Sequence, residues 1–174
     1  SHLVGGPHRD SQRVYWSHMG SARAHNPSLA LDKPLKDWEA VASATREVSE
    51  RGYDAFKTNI FWPGESPRAI SQGRDGINHD QRVDTELLRH AEKQISVMRD
   101  AAGNSIDILL DVNSNFKTEG VIRLAKALEP YKLFWIEHDN ENPQALAQLR
   151  DSTSISLASG EEHFTTREYL PYFE

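Results

Sequence analysis

The sequence has no cysteine and no long uninterrupted run of apolar residues. The absence of cysteine excludes disulfides, thiolate metal ligands and a cysteine nucleophile, and it is compatible with a reducing compartment. No segment approaches the roughly 18 apolar residues of a membrane span. The opening SHLVGGPHRD also lacks the apolar segment of a secretory signal. We therefore expect a cytoplasmic protein that does not insert into a membrane.

No single sign of charge dominates any part of the chain. The 20 Lys and Arg residues and 26 Asp and Glu residues give a net charge of −6, without a long run of like charge. A nucleic-acid binder would be expected to carry a basic patch or stripe, so we expect no nucleic-acid partner. The length of 174 residues favours one domain, spanning residues 1–174.

Short β-prone segments instead alternate with helical patterns along the chain. The strands are predicted at residues 12–17, 53–61, 106–112, 133–136 and 155–158. The helices are predicted to start at Pro34, Val83, Thr118, Asn142 (as N-cap) and Thr165 (as the first residue of a capping box). Parallel neighbouring strands need crossover connections, which helices usually supply, so the order predicts a parallel α/β fold. The Gly- and Pro-rich loop over residues 63–76 is assigned to the mouth of a site.

Charged residues follow the predicted strands, where parallel α/β proteins collect their functional groups. Lys57 and Asn59 end the second strand, whereas Asp111, Glu137 and Glu161 end the third, fourth and fifth. Carboxylates brought together would repel each other unless a cation neutralised them. Oxygen-only ligands favour a hard ion, so the pattern predicts Mg²⁺, with Mn²⁺ also tolerated. The alternative for each acid taken singly is a solvated side chain or a helix cap.

Four segments together resemble the mandelate racemase branch of the enolase superfamily: FKTN, LLDVNSNF, LFWIEHDN and LASGEEHFTTREY. The segments YWSHMGSAR and GEEHFTTREYLPYFE are most similar to its acid-sugar dehydratases, of galactonate dehydratase type. The resemblance implies a (β/α)₈ TIM-type barrel in which Asp111, Glu137 and Glu161 hold one Mg²⁺. A complete barrel takes about 250 residues. We therefore expect a partial barrel of about five β/α units, with the family's capping domain and last strands absent from these 174 residues.

The resemblance also implies a reaction. A proton α to a substrate carboxylate is removed, the resulting enediolate loses a β-hydroxyl, and a 2-keto-3-deoxy sugar acid forms. Lys57 and Asn59 are the catalytic candidates, because Lys57 matches the first Lys of the family's Lys-x-Lys pair. Asn59 replaces the second Lys, which is the base of racemase-type members. An amide does not accept a proton at neutral pH, so racemisation between two facing bases is disfavoured.

Four further residues are predicted to bind substrate. Asn113 resembles the family's amide two residues past the first metal ligand. His18 and Arg23 follow the first strand, where the alternative is hydrogen bonding to loop carbonyls. His138 stands where the family often has a second Glu, and the alternative for it is an exposed histidine.

Three hypotheses remain open from the sequence. The first is a Mg²⁺-dependent dehydratase that acts on a small acid sugar as a homo-oligomer and is a lyase in its full-length form. The second is a non-catalytic barrel fragment that binds Mg²⁺ or pairs with another copy, in which case the 174 residues alone are inactive. The third is a racemase or epimerase of the same superfamily that uses Lys57.

Overall fold

The computed structural model describes residues 5–19, 23–24, 34–70 and 82–173. Within these ranges the helices are α1 (Trp38–Glu50), α2 (Thr85–Ala102), α3 (Thr118–Leu128), α4 (Pro143–Ser152) and α5 (Thr166–Tyr169). Short 3₁₀ turns follow α3 at Glu129–Tyr131 and α5 at Leu170–Tyr172. The strands are β1 (Ala55–Thr58), β2 (Phe61–Trp62), β3 (Arg68–Ala69), β4 (Asp107–Asp111), β5 (Trp135–Glu137) and β6 (Leu157–Ala158).

The main sheet has the strand order β1-β4-β5-β6, and all of its pairs are parallel. Lys57 pairs with Leu109 across the first pair, and Asp111 pairs with Glu137 across the second. A helix connects each strand to the next, except that the β2–β3 hairpin precedes α2. The carboxyl ends of the strands therefore meet at one edge of the sheet, as the predicted α/β class requires.

The first predicted strand is reduced to a single pairing residue. Trp16 forms an isolated parallel bridge with Phe56 of β1. Its N–H donates to Ala55 O at 3.0 Å, and its carbonyl accepts from Lys57 N at 2.9 Å. His18 then adopts a left-handed φ of 51°, which ends the extended conformation, although Met19 N still donates to Lys57 O of β1 at 3.0 Å. A segment that pairs with the sheet is thus present here, but the predicted extent over residues 12–17 was wrong.

The predicted strand over residues 53–61 is also shorter than expected. β1 ends at Thr58, and the chain then forms an unpredicted antiparallel hairpin of β2 and β3. The hairpin turn contains Pro63 and Gly64, a turn signal that could have marked it. Residues 71–81, which include the rest of the predicted loop, lie outside the described part of the chain.

Local capping chemistry sets the helix starts. Asn142 is the predicted cap of α4, and its Oδ1 accepts from the N–H groups of Gln144 and Ala145. The capping box of Thr165 and Glu168 is also present. By contrast α1 begins after Asp37 rather than at Pro34, because the Asp37 side chain accepts from the first helical turn.

The two faces of the main sheet differ in chemistry because successive side chains on a strand alternate. One face packs against the helices, and the side chains at this contact are fully buried in both the sheet and the helices. These are Phe56, Ile108, Leu110 and Ile136 from the sheet and Val41, Val48, Ile95, Met98, Val121, Leu124 and Leu128 from the helices. The opposite face carries Lys57, Leu109, Asp111, Trp135 and Glu137. The apolar face holds the sheet to its helices, and the other face is left for polar groups.

The sheet is strongly curved. The rings of Tyr15 and Trp135 meet edge to face with centroids 5.8 Å apart, although β1 and β4 lie between their strands. In a flat sheet three strand spacings would separate them by roughly 14 Å. The described chain is therefore a partial barrel of parallel β/α units, which confirms the predicted fold class. Among the described residues, no helix has both the length and the apolar content needed to cross a membrane.

Candidate active site

The candidate site begins with three charged side chains on neighbouring strands. Lys57 is the second-last residue of β1 and lies on the polar face, while Asp111 and Glu137 end β4 and β5 at paired positions. The Lys57 Nζ donates to Glu137 Oε2 at 2.9 Å and lies 3.1 Å from Asp111 Oδ2. All three side chains are largely buried, with the Lys57 side chain only 8% exposed. The ammonium therefore neutralises two carboxylates that the parallel register forces together.

In both Glu137 and Lys57, burial shifts the pKa in one direction and the oppositely charged partner shifts it in the other. Burial raises the pKa of Glu137, and the negative charge of Asp111 raises this pKa further. The hydrogen bond from Lys57 lowers it, but the net result is a pKa above the ordinary value of a glutamate. Burial lowers the pKa of Lys57, but the hydrogen bond to Glu137 and the charges of Asp111 and Glu137 outweigh it, so that pKa is raised. At neutral pH Lys57 is a fixed cation, not a proton acceptor.

A second group of carboxylates adjoins the first. Glu137, Asp139 and Glu161 each offer an oxygen, and these oxygens lie within 4.8 Å of one another. Three carboxylate oxygens at this spacing, without sulfur or nitrogen, fit a hard divalent cation such as Mg²⁺. The structure thus brings Glu137 near both Asp111 and Glu161, the two other predicted ligands. Their joint role as metal ligands stays a prediction.

Asp139 is the site residue that sequence reasoning missed. It lies two positions after Glu137, so strand alternation would direct both side chains to the same face if the strand continued. That spacing is the signal that could have found it. Its Oδ1 accepts from the N–H groups of Gly160 and Glu161, at 3.0 and 3.3 Å.

Asn113 contributes through its backbone. Its N–H donates to Asp111 Oδ1 at 2.8 Å, and its carbonyl accepts from His138 Nδ1 at 2.9 Å and from Asp139 N at 3.2 Å. The left-handed φ of 54° at Asn113 allows both contacts, and Asn adopts this conformation more readily than most residues. Substrate binding by its side chain stays a prediction.

His138 is buried, with 2% of its surface exposed, which excludes the alternative of an exposed histidine. Because Nδ1 donates to a carbonyl, Nε2 is the unprotonated nitrogen of the neutral ring, and it accepts from Asn140 Nδ2 at 3.4 Å. Burial lowers the pKa of His138, which favours this neutral form.

Asn59 connects two parts of the site. Its Nδ2 donates to the carbonyl of Asp111 at 2.9 Å, which leaves Oδ1 to accept from His18 Nδ1 at 3.0 Å. The His18 ring therefore lies beside the carboxyl end of β4, close to the other site residues. Both the nitrogen and the oxygen of the buried Asn59 amide are therefore hydrogen bonded. These contacts hold the His18 ring next to the backbone of Asp111.

Arg23 lies apart from these groups. It is buried, and its Nη2 donates to Glu47 of α1 at 2.9 Å. Its guanidinium also lies over the ring of Trp16, 5.5 Å from the centroid. The contacts described for Arg23 are with α1 and the first strand rather than with the strand-end carboxylates. Substrate binding by Arg23 stays a prediction without support from this placement.

A cavity of about 600 Å³ opens at this end of the sheet. Its lining comes from the loops after β4, β5 and β6 and includes Ser114, Phe116, His138, Asp139, Ser159 and Glu162. Such a volume falls in the range of small-molecule sites. The carboxylate cluster of Glu137, Asp139 and Glu161 therefore adjoins a space large enough for a small organic acid.

Known proteins share this arrangement of elements. The D-gluconate dehydratase of Thermoproteus tenax is 29% identical over 98% of this chain and 29% of its own length. The D-galactonate dehydratase family member ManD of Chromohalobacter salexigens is 38% identical over 91% of this chain and 39% of its own length. A Burkholderia xenovorans protein provisionally assigned as an L-alanine-DL-glutamate epimerase has a crystal structure with bound magnesium and fumarate. That structure matches with a TM-score of 0.90 and 34% identity over 99% of this chain and 43% of its own.

The chain spans only 29 to 42% of the length of the curated relatives it matches. The profile of one family, described as Enolase C-terminal domain-like, matches residues 39–174. This confirms the resemblance drawn from the strand-end motifs. Since the matched region is well over half of the sequence, the chain belongs to the Enolase C-terminal domain-like family of the enolase superfamily.

Proposed function

We propose that this chain supplies the metal- and carboxylate-binding section of an acid-sugar dehydratase. The observation that carries the proposal is the buried cluster in which Lys57 contacts Asp111 and Glu137, with Glu161 close to Glu137. The dehydratase relatives add support, because gluconate and galactonate are both sugar acids. In the proposed reaction a general base takes the proton α to the substrate carboxylate, a general acid protonates the β-hydroxyl so that it leaves as water, and the enol product becomes a 2-keto-3-deoxy acid.

Asp111, Glu137 and Glu161 are the proposed ligands of one Mg²⁺, with Mn²⁺ as a substitute. Oxygens of Glu137 and Glu161 lie within 4.8 Å of each other and of an Asp139 oxygen, and Asp111 pairs with Glu137 across β4 and β5. Oxygen ligands suit such an ion, and magnesium is present in the related Burkholderia structure. When bound, Mg²⁺ would offset the negative charge that develops on the substrate carboxylate as the α-proton leaves.

Lys57 has the proposed role of binding the substrate carboxylate. Its raised pKa keeps it charged, so it would act as a cation and not as a base. Asn59 would orient the His18 ring at the site and would not take a proton. The buried neutral ring of His138 lines the cavity and is a proposed substrate contact.

Epimerisation is the second candidate, favoured by the likeness to the Burkholderia structure. Both reactions begin with removal of an α-proton, so they share the same charge distribution at the site. They differ in the next step, because an epimerase returns a proton to the same carbon and releases no water.

Metal binding tests the ligand assignment. Glu137→Gln keeps the shape of the side chain and removes its charge, so we expect Mg²⁺ affinity, measured by isothermal titration calorimetry, to fall at least tenfold while the circular dichroism spectrum is unchanged. Glu50→Gln is the matched control, because it removes an exposed carboxylate at the end of α1, which does not line the cavity. Equal affinity in wild type and Glu137→Gln would refute the assignment.

Turnover separates the three hypotheses. With Mg²⁺ and D-gluconate or D-galactonate, a dehydratase forms a 2-keto acid that semicarbazide detects. An epimerase instead incorporates deuterium from D₂O at the α-carbon of its substrate without forming that keto acid. Metal binding without either reaction would support the non-catalytic fragment.

A further inference from the structure

The turn that carries Glu161 is held by a carboxylate from the neighbouring strand. Asp139 is 8% exposed, and its Oδ1 accepts from Gly160 N at 3.0 Å and from Glu161 N at 3.3 Å. Hydrogen bonds from N–H groups to an ionised carboxylate are stronger than those between neutral groups. A single oxygen thus fixes two consecutive amides of the turn.

The opposite side of the same turn is held by Tyr169. Its hydroxyl donates to the carbonyls of Gly160 and His163, at 2.8 and 3.3 Å. The His163 ring packs against the Tyr169 and Tyr172 rings. The turn is therefore fixed between Asp139 on one side and an aromatic cluster on the other.

Asp139 is itself anchored to the first strand-end carboxylate through Asn113. The carbonyl of Asn113 accepts from Asp139 N, and the N–H of Asn113 donates to Asp111 Oδ1. Continuous hydrogen bonding thus runs from Asp111, past Asp139, to the backbone of Glu161. The ends of β4, β5 and β6 are linked in this way without using the side chain of Glu137 or Glu161.

We propose that Asp139 is a positioning residue that sets where Glu161 lies relative to Asp111 and Glu137. This inference rests on the proposed function, because the position matters for a cation held by those three carboxylates. Outer groups that orient metal ligands typically change metal affinity 10- to 100-fold when removed. Asp139 would act through the two amide hydrogen bonds to its Oδ1, an acceptor that an asparagine at this position would keep.

Two substitutions separate positioning from direct ligation. Asp139→Asn keeps an acceptor oxygen at Oδ1, whereas Asp139→Ala removes it. With Mn²⁺ as the probe and electron paramagnetic resonance as the readout, we expect Asp139→Ala to weaken binding at least tenfold and Asp139→Asn to stay within about threefold of wild type. Glu50→Gln is again the control. Equal losses in Asp139→Asn and Asp139→Ala, or no loss in either, would overturn the inference.

A second readout needs no metal. The amide proton of Glu161 should move upfield in the NMR spectrum of metal-free Asp139→Ala, and Asp139→Asn should restore most of the shift. An unchanged Glu161 amide in Asp139→Ala would contradict the positioning role. If Glu137→Gln leaves Mn²⁺ affinity unchanged, the proposed metal site fails, while this amide shift still decides whether Asp139 holds the turn.

Discussion

At the scale of the residue, Lys57 has the largest electrostatic role among the described contacts of the site. It lies between Asp111 and Glu137, all three with little solvent exposure. Two buried carboxylates at paired positions repel each other strongly when no cation lies between them. The ammonium between Asp111 and Glu137 therefore offsets part of this repulsion.

Replacing this ammonium should be costly. We expect Lys57→Met to lower the free energy of unfolding at neutral pH by about 3–5 kcal/mol, because it leaves two buried charges uncompensated. Urea unfolding measures the change. Lys93→Met, at an exposed position of α2, serves as the control and should be close to wild type. A loss below about 1 kcal/mol in Lys57→Met would mean that Asp111 and Glu137 are not both ionised in the folded protein.

At the scale of the element, the turn after β6 depends on a residue without a side chain. Gly160 has φ of +103°, a conformation that L-residues rarely adopt. A Cβ at this position would also lie 2.9 Å from Tyr169 Cε1, and the Tyr169 hydroxyl is hydrogen bonded to the turn itself. The turn thus combines a backbone requirement with a steric one.

Three glycine substitutions separate these two requirements. Gly64→Ala should be nearly neutral, since its Cβ meets nothing within 4 Å. Gly52→Ala, at φ of +82° in open space, should cost about 1–2 kcal/mol for the backbone alone. Gly160→Ala should cost more than Gly52→Ala in urea unfolding because of Tyr169. Equal losses of unfolding free energy in Gly52→Ala and Gly160→Ala would show that the Tyr169 ring moves to make room for the added Cβ.

The elements also differ in how well the sequence predicted them. Asn142 and the Thr165 capping box were predicted from residues adjacent in sequence, and both are confirmed. The first strand was wrong in extent because Trp16 is the residue that pairs, while the left-handed turn at His18 depends on the neighbouring β1. Local chemistry therefore fixed the caps, whereas pairing with a distant strand fixed the strand length.

At the scale of the whole molecule, the parallel sheet gathers groups that are far apart in sequence. Its curvature brings Tyr15 against Trp135 and directs the ends of β4, β5 and β6 towards one cavity. A ligand that binds only the folded form stabilises it by RT ln(1 + L/Kd), where L is the free ligand concentration. Metal binding at this edge should therefore be visible in the stability of the entire fold.

We expect Mg²⁺ to raise the thermal unfolding temperature relative to EDTA. At a free concentration about 100 times the dissociation constant, the gain in unfolding free energy should be about 2.7 kcal/mol. Circular dichroism melting curves of wild type and Glu137→Gln measure the effect, which should be smaller in the variant at the same Mg²⁺ concentration. The same gain in both proteins, or none in wild type, would contradict a site that includes Glu137.

The sequence by itself determined the alternation of strands and helices, the caps of α4 and α5 and the charged residues at the strand ends, because these follow from local periodicity and side-chain type. It also carried the family resemblance through short motifs. Only the tertiary structure decided that Lys57 neutralises Asp111 and Glu137, that His138 is buried and that Asp139 holds the Glu161 turn. These contacts join residues on different strands, and their geometry depends on strand register and sheet curvature, which no local stretch of sequence encodes.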